Sequence, residues 1–375
     1  MIYLDSAATT LQKPPAVSRA ASFATTHMAS PGRGGHQPAM RAADTVFACR
    51  NAAAELFHVE DPGRVVFTMN ATHGLNLAIK TLVKPGDTVL VSGYEHNAVT
   101  RPLYAQGADV RVVEGALFRP REILARFEEM MTPEVRCVVC NHVSNVFGFT
   151  LPVEKIAALC RRRGIAFVLD ASQSAGNLPV FMDQLKAAFI AMPGHKGLLG
   201  PQGTGLLLCG EEVETKTLLE GGTGSLSARQ EMPEFLPDRL EAGTLNVCGI
   251  AGLLEGIRYV RKKGTDRILN HEKSLTAQMA EGLMGMGHVR AYVDQKGDSQ
   301  TGVLSFNIIG TDCEMAAQAL GARGICVRAG LHCAPLAHKS AGTFETGTVR
   351  ASVSPFNTPR EIQLFLREIA RMANT

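Results

Sequence analysis

The stretch IAFVLDASQSAGNLPVFMDQLKAAFIAMPGHKGLLG, residues 165–200, contains two short apolar runs, each followed by a small polar loop. The first run, IAFVLD, ends at Asp170, and the second, AAFIAMP, leads into Gly194, His195 and Lys196. Short apolar runs bounded by turn residues predict buried strands. Since ligands of parallel sheets bind at the carboxyl ends of the strands, Asp170 and Lys196 are candidate site residues.

The same alternation of strands and helices extends along most of the chain. Apolar runs such as RVVFT, DTVLVSG, RCVVCNHVS and GTGLLLCG alternate with helical stretches, which predicts an α/β fold with a three-layer, mostly parallel sheet. After GIAGLLEGIRYVRKKG the pattern changes to a smaller α+β segment, with VLSFNI and GICVRAG as strands and a last helix from Thr358. We predict a large domain over residues 14–262 and a small domain formed by residues 1–13 and 263–375.

Composition argues against several classes of protein. The 375 residues include 38 Lys and Arg against 35 Asp and Glu, so the chain lacks the strongly basic balance of nucleic-acid-binding proteins. No stretch approaches the ~18 apolar residues of a membrane span, and the N-terminus lacks a signal-peptide pattern, so we expect a soluble cytoplasmic protein. The nine scattered cysteines predict free thiols. Cys137 and Cys140 form a C-x-x-C in an apolar run, and we interpret them as buried core thiols rather than a metal or redox pair.

Asp170 and Lys196 together suit one cofactor. Pyridoxal 5'-phosphate needs a carboxylate that keeps its pyridine nitrogen protonated and a lysine that carries it as a Schiff base. Either residue alone is a weak signal, because a lone Asp after a strand usually caps a helix and a lone Lys is usually solvated. The pair therefore predicts a cofactor site where the two strands end.

A phosphate site is also present in the sequence. The stretch FTMNATHGLNLAIK places Asn70, Ala71 and Thr72 between a strand and a helix. The free amides and dipole of a helix start attract phosphate, to which Thr72 adds a hydroxyl and His195 a ring nitrogen. Thr72 could equally be a simple helix cap. We expect phosphate to bind at this helix start.

Nine motifs occur together in a fixed order. They are YLDSAATT, RGGHQ, EHNAVTRPL, HVSNVFG, LDASQSAG, GHKGLLGPQGTG, EAGTLN, RAGLHCAP and TVRAS. On these motifs the chain resembles the cysteine desulfurase and selenocysteine lyase family of class V aminotransferases, which are fold type I pyridoxal-phosphate enzymes. The resemblance extends from YLDSAATT to SPFNTPREI near the end of the chain, so it implies the same fold and chemistry for the whole sequence.

Carried onto the matching positions, the resemblance implies particular roles around the cofactor. His96 would stack on the ring, and Gln173 would bind its phenolic oxygen. The phosphate-binding residues would be Ala71, Thr72, His195 and, reaching the cofactor of a neighbouring subunit, Thr244. The residues that bind the substrate or line its pocket would be Asn145, Arg350, Arg328, His36 and Ala7. The family often has Ser at the position of Pro193 and Thr at that of Ala71, so backbone amides are expected to contribute more here. Without the family, His36 and His96 would be interpreted as ordinary loop histidines.

Cys333 separates a desulfurase from a generic aminotransferase. It lies in RAGLHCAPLAH, a loop-like stretch in which an exposed reactive thiol is plausible, although a small buried side chain is the alternative. The resemblance implies that Lys196, Cys333 and His96 are the catalytic residues. They would convert L-cysteine to L-alanine and leave a persulfide on Cys333 for an acceptor protein or thiol, in iron–sulfur cluster assembly. The resemblance also implies a homodimer.

Other functions remain open from the sequence. The same site could act on L-selenocysteine as a lyase, or it could belong to a transaminase or epimerase that uses no thiol. A sulfur-carrier scaffold without cofactor chemistry is a further alternative, which the complete set of Asp170, Gln173 and Lys196 disfavours.

Overall fold

The computed structural model describes residues 1–32, 34–211 and 213–372. The helices of this part are α1 (Pro15–His27), α2 (Gln37–Phe57), α3 (Ala71–Leu82), α4 (Asn97–Ala105), α5 (Pro120–Met130), α6 (Val153–Arg163), α7 (Met182–Leu185), α8 (Val247–Lys263), α9 (Thr265–Met284), α10 (Cys313–Ala322), α11 (Pro335–Ser340) and α12 (Pro359–Arg371). The strands are β1 (Ile2–Tyr3), β2 (Val65–Thr68), β3 (Thr88–Ser92), β4 (Asp109–Val113), β5 (Val135–Asn141), β6 (Ala166–Asp170), β7 (Phe189–Pro193), β8 (Gly205–Cys209), β9 (Val289–Tyr292), β10 (Val303–Ile308), β11 (Ile325–Cys326), β12 (Arg328–Gly330) and β13 (Thr348–Ser352).

A seven-stranded sheet forms the centre of the molecule. Its strand order is β2-β8-β7-β6-β5-β3-β4. Strands β3 to β7 run parallel, and β8 is antiparallel to both of its neighbours, β7 and β2. The predicted three-layer, mostly parallel α/β sheet is confirmed.

Helices cover both faces of this sheet, which is why most residues of its strands are apolar and buried. Strands β2, β3, β7 and β8 are buried at every residue. One core lies between the sheet and helices α3 and α4, and the other packs the opposite face against α2, α5, α6 and α8. With both faces covered, a ligand can reach the sheet only at an edge formed by strand ends.

A second, smaller layer consists mostly of residues that follow α8 in the chain, together with β1. It holds an antiparallel sheet of order β12-β13-β10-β9 and a parallel pair of β1 with β11. Its core contains Leu4 and residues between 275 and 369, all from the two segments predicted for the small domain. Ala334 and Ala337 pack into the large core instead, so the division at residues 13 and 262 stays a prediction. Residues 373–375 of that prediction lie outside the described residues.

Several local predictions are confirmed. Thr358 and Glu361 form the capping box at the start of α12. The described chain contains all nine cysteines as free thiols, and Cys137 and Cys140 are fully buried in β5. No helix among the described residues is long and apolar enough to cross a lipid bilayer.

Candidate active site

A cleft opens where the parallel strands end. It encloses about 530 Å³, including the part open to solvent. The residues that line it are Asn70, Ala71, Thr72, His96, Ala98, Asn141, Val143, Asn145, Asp170, Ser172, Gln173, Pro193, His195 and Lys196. Eight of the predicted site residues therefore lie together, although they come from the ends of five different strands or from the segments that follow them.

Asp170 and Lys196 lie on neighbouring strand ends. Asp170 is the last residue of β6, which pairs with β7, and Lys196 follows β7 by three residues. The two following turns are pressed together: a Cβ atom on Gly176 would overlap the carbonyl oxygen of Gly197, and one on Gly197 would overlap that of Ala175. Gly176 also has a φ of 93°, which glycine adopts without strain. Glycines therefore permit the close approach of the turns that carry the carboxylate and the amine.

The amine of Lys196 is less basic than an ordinary lysine. Burial lowers its pKa to about 8, and the cations Arg350 and Arg328 act in the same direction against the carboxylate of Asp170. The neutral fraction of the amine near neutral pH is therefore larger than that of an ordinary lysine, and only a neutral amine can act as nucleophile or base.

His96 presents a neutral imidazole to the cleft. It caps α4, and its Nδ1 accepts a hydrogen bond from the backbone N–H of Ala98 over 2.9 Å. Nδ1 is thus unprotonated, and the ring proton lies on Nε2. Burial lowers the pKa of His96 to about 4, with the nearby Asp170 opposing this shift. The ring therefore stays uncharged at neutral pH.

The start of α3 provides two free amides at the cleft. Asn70 caps this helix by accepting from the N–H of His73 over 2.9 Å. The N–H groups of Ala71 and Thr72 have no hydrogen bond to any residue that the structure describes. Together with the dipole of a 12-residue helix they form an anion site. His195 lines the same cleft, where its Nδ1 contacts Thr9 Oγ1 at 3.0 Å.

The N-terminal segment closes one side of the site. Gln173 donates from Nε2 to the carbonyl oxygen of Ala7 over 2.9 Å, and the N–H of Ala7 donates to Ser352 Oγ over 2.9 Å. Ala7 is buried and borders a smaller cavity that Lys196 also lines. Gln173 therefore lines both the cleft and the smaller cavity, and Ala7 lines the smaller cavity beside it.

Arg350 is a buried residue of β13, and the carboxylate of Asp5 compensates part of its charge. Its Nη2 donates to Asp5 Oδ1 over 2.7 Å and its Nη1 to the carbonyl oxygen of Asn145 over 3.0 Å. Its Nε and the Oδ1 of Asn145 are both buried without a partner among the described residues. Arg328 is exposed, and its backbone lies opposite that of Arg350 in the antiparallel pair of strands β12 and β13. The site therefore contains polar atoms that remain available to a ligand.

Cys333 is the cysteine with an exposed side chain among the nine, all of which the structure describes. It precedes α11, and its carbonyl oxygen accepts from the N–H of Asn97 over 2.7 Å. Asn145 donates from Nδ2 to the carbonyl oxygen of His332 over 2.8 Å. The thiol-bearing loop is thereby tied to the residue after His96 and to a residue of the cleft.

Two predicted residues lie apart from the cleft in the single chain. His36 is exposed and caps α2, accepting from the N–H of Ala39 over 3.4 Å. Thr244 is exposed in the loop before α8. The role of His36 in the substrate pocket and that of Thr244 in phosphate binding stay predictions. Thr244 was expected to reach the cofactor of a neighbouring subunit, which a single chain does not test.

Two acidic residues near the site had no role in the sequence-based prediction. Asp5 lies in the quoted motif YLDSAATT, yet its contact with Arg350 spans almost the whole chain. Glu95 precedes His96 and is fully buried, and burial raises its pKa to about 8. The sequence signal that could have identified Glu95 was its position directly before His96, a residue of the cleft.

The whole chain is similar to known proteins of one kind. A family model described as "Aminotransferase class-V" matches residues 2–365. A protein of Methanothermobacter thermautotrophicus, described as "Probable cysteine desulfurase", is 36% identical and is matched over 99% of this chain and 95% of its own length. A protein of Pyrococcus abyssi with the same description is 32% identical, over 98% of this chain and 92% of its own.

Solved structures agree with these relatives. The apo structure of a cysteine desulfurase from Thermococcus onnurineus NA1 superposes with a TM-score of 0.92 at 32% identity, covering 100% of this chain and 94% of that one. The cysteine desulfurase CsdA from Escherichia coli gives a TM-score of 0.88 at 27% identity, covering 99% and 94%. The fold and the cleft thus define a fold type I enzyme of the class V aminotransferase type. Within that class, the chain belongs to the cysteine desulfurase family.

Proposed function

We propose that this protein is a pyridoxal-phosphate-dependent cysteine desulfurase that converts L-cysteine to L-alanine and takes the sulfur as a persulfide on Cys333. The observation that carries the proposal is the exposed Cys333, whose loop is bonded to Asn97 and Asn145 at the rim of the cleft of Lys196 and Asp170. The similarity to cysteine desulfurases over the full chain supports the same conclusion.

The residues of the cleft fit the cofactor. The unpartnered amides of Ala71 and Thr72 match its phosphate, and the carboxylate of Asp170 lies at a strand end where it can pair with a ring nitrogen. The Lys196 amine lies on the neighbouring strand end and is partly neutral, as covalent attachment requires. The cofactor, when bound, supplies an electron sink for the α-carbon of the substrate.

Lys196, His96 and Gln173 have distinct tasks around that cofactor. Lys196 Nζ would hold it, and the lowered pKa of this amine suits it to take the α-proton of the substrate. His96, a neutral imidazole with its proton on Nε2, would stack on the ring. Gln173 uses one N–H on Ala7, so its second N–H can reach the phenolic oxygen.

Arg350 and Asn145 orient the substrate. The guanidinium has a buried Nε without a partner among the described residues, and a planar fork suits a carboxylate. Arg328, Ala7 and His36 line the substrate pocket in this proposal, His36 through an arrangement other than that of the single chain. The substrate thiol then faces the loop of Cys333.

Sulfur transfer exchanges one bond for another. The Cys333 thiolate attacks the substrate sulfur, the S–S bond forms, and the substrate C–S bond breaks with its electron pair left on carbon, which takes up a proton. The net change is L-cysteine and a thiol giving L-alanine and a persulfide. An acceptor protein or small thiol then removes the sulfur, in a cytoplasmic route that serves iron–sulfur cluster assembly.

The protein functions as a homodimer in this proposal. Thr244 is exposed, and on a partner subunit it would reach the phosphate at the start of α3. Sedimentation should give twice the mass of the 40.1 kDa chain, and replacing Thr244 by Ala should weaken cofactor retention. A monomer that retains the cofactor fully would contradict this arrangement.

A product assay tests the proposed function. Purified protein with L-cysteine should form alanine and, with a reducing thiol, an equal amount of sulfide. Cys333→Ser should abolish sulfide release, whereas the control Cys248→Ser, at a half-buried thiol on α8, should retain it. Keto acid or racemised cysteine as the product would contradict the proposal. Turnover of L-selenocysteine that persists in Cys333→Ser would indicate a lyase instead.

A further inference from the structure

The loop that carries Cys333 has an unusual backbone. His332 and Cys333 are consecutive residues with positive φ angles, 49° and 56°. This left-handed region is unfavourable for residues with a Cβ atom, and such conformations persist only where surrounding contacts impose them. The thiol is therefore presented by a strained turn that other groups must hold.

The imidazole of His332 is one of those groups. It is buried, and its Nε2 lies 3.1 Å from the carbonyl oxygen of Thr348 in β13, two residues before Arg350. A carbonyl oxygen only accepts, so Nε2 carries the proton. His332 is thereby bonded through its ring to the strand of Arg350 and through its backbone carbonyl to Asn145.

The other ring nitrogen shows that the site suits a neutral imidazole. Nδ1 is buried and has no partner among the described residues. Burial depresses the pKa of His332 to about 2, and the cation Arg350 adds to this effect. An apolar ring would fill the same space without leaving an unpaired acceptor, which is costly to bury. The hydrogen bond from Nε2 is the contact that an apolar ring could not make.

Aromatic packing supports the ring from behind. The ring of His338 in α11 stacks on His332 with centroids 5.7 Å apart. Phe147 packs on His338 at 5.9 Å and on Tyr292 at 5.5 Å. The ring of His332 is thus packed against His338, which is itself packed against Phe147. Its hydrogen bond to Thr348 sets its orientation.

We propose that His332 is a positioning residue, whose hydrogen bond to Thr348 holds the left-handed turn that presents Cys333 to the substrate sulfur. The inference rests on the proposed function, because it assigns a purpose to the geometry of the Cys333 loop. Small displacements of a nucleophile slow transfer strongly, whereas they leave substrate binding at Arg350 in place.

Two substitutions separate the hydrogen bond from the ring. His332→Phe keeps a ring against His338 but has no donor, and His332→Gln keeps an N–H donor at the distance of Nε2. We expect His332→Phe to slow single-turnover persulfide formation by about tenfold or more. The KM for L-cysteine and the absorbance of the bound cofactor should stay near wild type, and His332→Gln should recover most of the rate. Tryptic cleavage after Arg328 or Lys339, which flank the loop, should be faster in His332→Phe.

A control variant and a second readout keep the test decisive. His142→Gln replaces another buried histidine, whose pKa burial also lowers to about 4 and whose Nε2 lies 4.0 Å from Glu154 Oε1 on α6. Wild-type transfer in His332→Phe, equal losses in both His332 variants, or the same loss in His142→Gln would each overturn the inference. If wild-type protein forms no persulfide, the proposed function fails. The proteolysis contrast then decides on its own whether His332 holds the loop.

Discussion

Arg350 and Asp5 form an ion pair over 2.7 Å, although they stand near opposite ends of the chain. The Arg350 side chain is 2% exposed and that of Asp5 is 20% exposed. Asp5 follows β1, whose pairing with β11 draws the N-terminus into the smaller layer. The guanidinium is therefore oriented before any substrate arrives.

Asp5→Asn should destabilise the protein. Asn keeps an acceptor for Arg350 Nη2 but removes the counter-charge of a buried cation. Breaking a buried pair costs ~3–5 kcal/mol, and we expect about 1–3 kcal/mol here because the acid is partly exposed and its acceptor is kept. Urea unfolding measures the change. Asp44→Asn, at an exposed position of α2, is the control and should stay within about 0.5 kcal/mol of wild type. Equal stability of Asp5→Asn and wild type would show that the pair adds nothing.

Asp170→Asn should separate cofactor binding from turnover. Asp170 Oδ1 accepts from the N–H of Ser172 over 2.9 Å, and an amide oxygen can keep that bond. The negative charge proposed to pair with the ring nitrogen is lost, however, so the cofactor should stay bound while turnover with L-cysteine falls by roughly 10²-fold or more. Absorbance and alanine formation report the two quantities. Turnover close to wild type would remove Asp170 from the mechanism.

Glu272 gives the protein a predicted pH dependence of stability. This carboxyl on α9 is 2% exposed, and burial raises its pKa to about 8 from 4.5. The folded state therefore binds the proton more tightly than the unfolded state. The resulting stabilisation is complete below pH 4.5 and is lost as the pH rises towards 8.

Glu272→Gln isolates this effect. Asn177 Nδ2 donates to Glu272 Oε2 over 2.9 Å, and the amide oxygen of Gln can accept the same bond. We expect wild type and variant to be similar at pH 5, and the variant to be more stable at pH 8 by roughly 2–4 kcal/mol, at ~1.4 kcal/mol for each pKa unit. Glu281→Gln, on the exposed face of the same helix, controls for the loss of a charge. A difference between wild type and Glu272→Gln that does not change with pH would refute the prediction.

The centre of the site could be predicted from sequence because local patterns encode it. Asp170 and Lys196 each follow an apolar run, and the carboxyl ends of neighbouring parallel strands meet at one edge. The sequence also placed the start of α3 near Asn70, Ala71 and Thr72, although Asn70 and not Thr72 caps the helix. Each of these features depends on a few consecutive residues, so it can be recognised in the sequence without knowledge of the fold.

Other features depend on contacts or exposure that no local pattern shows. The sequence analysis did not predict strands β4 and β9, because exposed polar residues such as Arg111 and Arg290 interrupt their apolar pattern. The pairing of Asp5 with Arg350 and the buried ring of His332 arise only when distant segments pack together. A resemblance between motifs indicated which residues belong to the site, but not which of them bond to each other.

The most direct test of the account locates the sulfur after a single turnover. Protein with bound cofactor is mixed with one equivalent of L-cysteine, alkylated, digested and examined by peptide mass spectrometry. The account predicts one added sulfur atom on the peptide of Cys333, none on the peptides of the other eight cysteines, and an equal amount of alanine. Alanine formed with the sulfur on another cysteine, or with no protein-bound sulfur at all, would contradict the role of Cys333.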